Sequence, residues 1–290
     1  MALDAGGSVV LAAGSPDVPV FPRSSNKPLQ AVGMLEAGLD LDGELLALAC
    51  ASHSGEPFHL EGARRILAGA GLDESALRTP PELPVDETAR LAYVAAGGTP
   101  APVAMNCSGK HAAMLATCVV NGWPTATYRD EQHPLQVALR ATVERLAGEK
   151  VAAVGVDGCG APLFALSLTG LARAFAAVST APAGTAEHRV ATALRRHPEW
   201  LGGTGRDVTR LVAGVEGLIA KDGAEGVYAA ALPDGRSAAL KIDDGAQRAR
   251  PPVMVAALRA LGVDEPVLDE LAETVLLGGG EPVGSVRCVL

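Results

Sequence analysis

The sequence predicts an α/β protein. Three observations point that way. Several segments carry helical apolar spacing, with proline near their starts and glycine beyond their ends. Val151–Val156 is a short apolar strand, and two late apolar runs flank Pro233-Asp234-Gly235 as in a hairpin. With 290 residues the chain can bury a large core, and no repeat, charge block or linker divides it, so residues 1–290 are read as one domain.

Taken in order, residues 8–13 and 17–21 read as short strands around Gly14-Ser15-Pro16. A helix follows from Lys27 to Ala37, where Pro28 suits the first turn because a missing amide there breaks no intrahelical bond. Leu45–Cys50 and Pro57–Ala68 are helical, the second ended by Gly69-Ala70-Gly71. A turn-rich stretch at 73–85 leads to a helix over Asp86–Ala96, and Cys107 or Ser108 opens one running through Cys118. Pro134–Leu146 is amphipathic. Helices are expected over much of 163–178 and 185–196, then the hairpin Gly226–Ala231 and Ser237–Ile242. A helix from about Gly245 and further helix close the chain.

The formal charge of −9 disfavours nonspecific nucleic-acid binding. No apolar stretch of about 18 residues escapes charges or breakers, so a spanning helix is not expected. Met1–Gly7 lacks the basic flank and apolar core of a secretion signal, and a cytoplasmic protein is the expectation. Five cysteines, at 50, 107, 118, 159 and 288, suit reduced thiols or metal ligands better than disulfides.

The chain holds 19 arginines but only five lysines. Three of those lysines, Lys27, Lys110 and Lys241, stand beside serine, cysteine or turn residues, where a titratable amine has a use that guanidinium lacks. Ser24 and Lys27 are three apart, which puts both on one side of a first helical turn with free amides in front of the serine. A lysine held near other cations activates such a hydroxyl; the alternative is a helix cap followed by a solvated lysine. Ser52, in Ala51-Ser52-His53-Ser54-Gly55-Glu56, either points into the same cleft or caps the next helix. His53 is either a base or a turn histidine. Cys107 and Lys110 repeat the three-residue spacing, and Cys159 lies between glycines beyond a strand; two thiolates suit a soft ion such as zinc, and buried core thiols are the alternative. Asp157 either bonds a substrate amino group or caps its turn. Lys241, at a strand end, is placed to read a carboxylate or to lower the pKa of Lys27. Lys150 and Lys221, in Glu-Lys and Lys-Asp contexts, read as ordinary solvated residues.

Five of these segments together resemble one family. Pro22–Gln30, Ala51–Glu56, Asn106–His111, Asp157–Pro162 and Lys241–Gly245 look like the signatures of the rhizobial inducible-type L-asparaginases, in the same order and over nearly the whole chain. The resemblance implies hydrolysis of L-asparagine to L-aspartate and ammonia. It also implies a fold similar to serine β-lactamases and penicillin-binding proteins, with a mixed, mainly antiparallel sheet packed with helices, usually as a homodimer. By motif match Ser24–Lys27 and Ser52–Lys241 are paired catalytic dyads. Cys107, Lys110 and Cys159 match a zinc site that supports substrate binding and geometry more than it activates water. Arg23, His53, Asp157 and Gly158 are assigned to substrate binding. Members of that family begin with an additional segment that includes a strand, whereas this chain opens inside the region matching Ala2–Gly14. A missed upstream start or a true truncation is therefore expected. A glutaminase or other serine amidohydrolase of related fold, and a non-catalytic amino-acid-binding protein, are the competing readings. Asparagine and glutamine differ by one methylene, worth only about 1–3 kcal/mol in a pocket.

Overall fold

The computed structural model describes residues 1–289. Strands β1 (Ala2–Leu3) and β2 (Val9–Leu11) open the chain, joined by a turn in which the Asp4 carboxylate accepts from the Gly6 and Ser8 amides. The strand expected over 17–21 is reduced to a single bridge between Val20 and Leu166. Pro16, Pro19 and Pro22 leave that stretch too few amides for a ladder.

The first helix, α1 (Lys27–Glu36), is buried from Lys27 through Leu35 and sits among other helices. After it come α2 (Gly43–Ala49), α3 (Pro57–Gly69) and α4 (Glu87–Ala95), the last capped by the Asp86 carboxylate on the Ala89 amide. Next, α5 (Ser108–Asn121) and α6 (Pro134–Ala147) both end on left-handed glycines, Gly122 and Gly148. The run expected to turn helical at 163 begins instead as a strand. It forms β4 (Pro162–Phe164), paired with β3 (Val154–Val156), and α7 (Leu168–Ser179) starts only where Ser167 caps the Gly170 amide.

Helices α8 (Ala186–Arg196), α9 (Pro198–Leu201) and α10 (Asp207–Gly214) lead to the sheet's main strands: β5 (Ile219–Gly223), β6 (Val227–Ala231) and β7 (Ser237–Lys241). The expected hairpin is β6–β7, whereas β5 was not foreseen. The helix expected near Gly245 begins later, as α11 (Arg250–Ala260), followed by α12 (Pro266–Leu271). The chain then closes on a hairpin rather than on helix: β8 (Glu273–Gly278) and β9 (Glu281–Arg287) turn at Gly279 and Gly280, whose φ angles of 60° and 90° suit glycine.

Five strands form one sheet in the order β2-β1-β7-β6-β5, and every pairing among the described strands is antiparallel. All five residues of β5 and of β6 are buried, so the sheet is covered on both faces; α7 and α11 both lie against β6 and β7. The fold is thus α/β, antiparallel sheets packed against helices.

Edge strand β5 abuts the 3-10 turn Arg23–Asn26, where Ser25 Oγ donates to the Lys221 carbonyl at 3.0 Å. A Cβ on Gly223 would lie 2.7 Å from the Pro22 carbonyl oxygen, so this approach requires glycine. A second close approach joins α5 to α2. A Cβ on Gly109 would stand 2.5 Å from both Cγ and the carbonyl oxygen of Leu48. Backbone cannot yield as a side-chain tip does, so Gly109→Ala should cost about 1–3 kcal/mol of stability. Urea unfolding should show a lowered midpoint at unchanged slope; an unchanged midpoint would contradict this packing.

Candidate active site

Lys27 has no solvent exposure, and its ammonium donates three hydrogen bonds: to the Ala51 carbonyl at 2.6 Å, Ser52 Oγ at 2.9 Å and Cys107 Sγ at 3.0 Å. The serine–lysine contact is therefore Ser52–Lys27. Ser24 makes no hydrogen bond to Lys27, but it lines the same cleft as Ser52. That cleft, of about 510 Å³, is walled also by Asn106, Asp86, Glu87, Arg206, Asp222, Gly223, Gln247 and Arg250. Just before Ser24, Arg23 holds a φ of +50°, a strained conformation for a side chain with a Cβ, of order 1–3 kcal/mol.

The expected Ser52–Lys241 pair does not form. The Lys241 amine donates to the Ile242 carbonyl at 2.5 Å, and Ser52 takes its bond from Lys27. The cation that sequence reasoning missed is Lys221. It is wholly buried on β5, bonded to the carboxylate and carbonyl of Asp222. Burial is the largest influence on it; together with the charge on Lys27, and against Asp222, it lowers the Lys221 amine to about 8. The signal lay in its setting, an apolar run before it and Gly223 after it, which marks a strand and not a solvated loop. Lys150, by contrast, is exposed as expected and pairs with Glu144.

The residues assigned to substrate binding divide. Arg23 and Asp157 spend themselves on each other, Nε to Oδ1 at 2.7 Å, with Arg23 also held by Glu225 at 2.9 Å. Exposed Gly158 lies beside the Arg23 guanidinium. His53 faces inward: it is fully buried, shares a hydrogen bond with Ser108 Oγ at 2.9 Å and stacks on His59. Burial, then the His59, Lys27 and Arg206 charges, keep it well below the usual histidine pKa, hence neutral. None of these four lines the cleft.

The expected zinc on Cys107, Lys110 and Cys159 does not fit. Among the described residues, no group of three or more His, Cys, Asp or Glu side chains is arranged to hold a metal ion. The thiols are engaged by ammonium groups instead, Cys107 by Lys27 and Cys159 by Lys110 at 3.2 Å. Burial alone lowers the Lys110 pKa, but Cys159, Cys107 and Asp157 outweigh it and raise the amine above the usual lysine range. A protonated amine has no lone pair for a metal. Each cysteine is the largest influence on the other, raising Cys107 and lowering Cys159, and Lys110 and His111 lower Cys159 further against burial. The cluster is an ion-paired wall beside the serines.

An α/β fold with a buried lysine on a cleft serine defines a serine–lysine hydrolase site. Residues 1–288 match the L-asparaginase II family, and the chain belongs to it. Membership places its substrates among asparagine-like amino acids. No curated protein matches the chain.

Lys221 supplies a test of the site's electrostatics. Its folded pKa of about 8 lies below the ordinary 10.5, so between those values the unfolded chain binds more protons than the folded one. Stability owed to Lys221 therefore rises with pH across that window. The unfolding free energy of wild type relative to Lys221→Met should shift in favour of wild type as pH rises from below 8 to above 10. A flat difference would contradict a depressed Lys221.

Proposed function

We propose that the protein is an L-asparagine amidohydrolase of the rhizobial inducible type, releasing L-aspartate and ammonia, with residues 1–290 acting as one catalytic domain. The observation that carries this reading is the 2.9 Å hydrogen bond from Lys27 to Ser52 in a cleft shared with Ser24, on a chain of the L-asparaginase II family. The motif resemblance favours a homodimer, and five free cysteines suit a reducing cytoplasm.

Ser24 leads into α1 and is the nucleophile in this scheme. In the reacting form Lys27 is the uncharged amine; the Ser24 Oγ bonds to the side-chain amide carbon, and the hydroxyl proton passes through Ser52 to the lone pair of Lys27. The proton returns to the amide nitrogen as the C–N bond breaks, and ammonia leaves. Water then adds to the aspartyl ester, the bond to Ser24 breaks, and the serine regains its proton as aspartate departs. Lys221, lowered to about 8 by burial and by the charge on Lys27, is the second buried lysine of the site. Ser52 is the relay between Lys27 and the nucleophile. Ser52–Lys27 thus replaces Ser52–Lys241 as the working pair.

Ammonia release should be greater from L-asparagine than from L-glutamine. Ser24→Ala and Ser52→Ala should each lower kcat/KM by at least about 10³-fold. Preference for glutamine would make the protein a glutaminase, and hydrolysis of a β-lactam alone would sink the reading. Aspartate binding without turnover would favour a binding protein. Near-normal turnover by Ser24→Ala beside an inactive Ser52→Ala would overturn the assignment of the two serines.

A further inference from the structure

We infer that Arg206 is the residue that recognises the substrate's α-carboxylate, an inference that rests on the amidohydrolase reading for the substrate's identity. Five hydrogen bonds clamp the segment before it onto the serine loop. Ser52 donates its amide to the Leu201 carbonyl at 3.1 Å, and Ser54 donates its amide at 2.8 Å and its hydroxyl at 3.0 Å to that of Gly202. Glu56 accepts from the Thr204 amide at 2.8 Å and from its hydroxyl at 2.7 Å. Gly203, at φ +125°, permits the contact, since a Cβ there would stand 2.1 Å from Ser54 Oγ. Arg206 is thereby fixed relative to Ser52, and both line the cleft that holds Ser24.

The cleft's other arginine is engaged at both terminal nitrogens, and only its enclosed Nε lacks a partner. Arg250 is buried, grips both carboxylate oxygens of Asp207 at 3.1 and 2.9 Å, and donates further to Gly223 and Gln247. Arg206 is not spent. It is 28% exposed, and its one side-chain bond is from Nη2 to Asp222 Oδ2 at 2.9 Å. Among the described residues its Nε and Nη1 donate to no protein acceptor. Lys221, Arg206 and Arg250 together face two carboxylates, Asp222 and Asp207, which leaves one cation in excess on this wall. A guanidinium anchored through one Nη2 hydrogen is a carboxylate site, because its second Nη2 hydrogen together with a neighbouring free N–H gives two parallel donors that match two carboxylate oxygens. Asp86 and Glu87 on the same lining supply the opposite sign that an α-ammonium needs. The side-chain amide is then left for the serines.

Calorimetric binding of L-aspartate and of β-alanine, which is aspartate without its α-carboxylate, separates this role from a structural one. Arg206→Gln should weaken aspartate binding by about 30- to 1,000-fold while leaving β-alanine within about threefold. Arg206→Lys, which keeps a cation beside Asp222 but loses the planar fork, should fall between and guards against misfolding of the glutamine variant. Equal weakening of both ligands would reduce Arg206 to a support for Asp222 and overturn the inference, as would unchanged aspartate binding. Arg206-dependent aspartate binding in a wild-type protein that releases no ammonia would uphold this inference while removing the amidohydrolase reading.

Discussion

The buried ammonium of Lys27 is the constraint on which the rest of the site depends. A cation taken out of water costs several kcal/mol unless its hydrogens find acceptors. Lys27 finds three, on Ala51, Ser52 and Cys107, in two segments distant in sequence from each other and from α1. The chain therefore cannot bury α1 at low cost without also bringing the loop after α2 and the start of α5 to the same point. Gly109 lets α5 come close enough to α2 for this to happen. Folding and site assembly are in that sense one event.

Around that point the charges sort into two walls. On one, Lys110, Cys159, Asp157 and Arg23 are bonded in a row to one another, and little remains for a ligand. On the other, buried Asp222 gathers Lys221, Arg206 and Arg250; burial alone raises its pKa, but these three cations outweigh it and keep it ionised. That wall carries the unspent guanidinium edge. The serines lie between a satisfied wall and one that still has donors to offer.

Local spacing made much of this legible in the sequence. Ser24, Lys27 and Ser52 stood out because a serine three residues before a lysine, and a serine in a short polar turn between helices, suit the same chemistry. Helix limits were legible wherever a proline opened or a glycine closed them, as in α3. Zinc was misjudged because residue types do not reveal protonation: Lys110 and the two thiols can form a ligand set or an ion-paired cluster, and only their packing decides.

The lysine of the sheet shows where sequence stops. Alternation predicts which face a strand lysine takes but not which strand lies beside the serines. Lys221 is in register with Ala229, and Ala229 with Ala239, whereas Lys241 pairs with Val227, so both lysines share a face two strands apart. Of the two strands that hold a lysine, β5 packs on the Ser25 turn and sets Lys221 behind Asp222 of the cleft wall. That choice is made by long-range pairing. The most direct measurement is mass-spectrometric mapping of protein acid-quenched during turnover of L-asparagine. An aspartyl ester on Ser24, lost in Lys27→Met, is the expected result; an ester on Ser52, or turnover with no serine ester at all, would contradict serine–lysine acyl transfer as drawn.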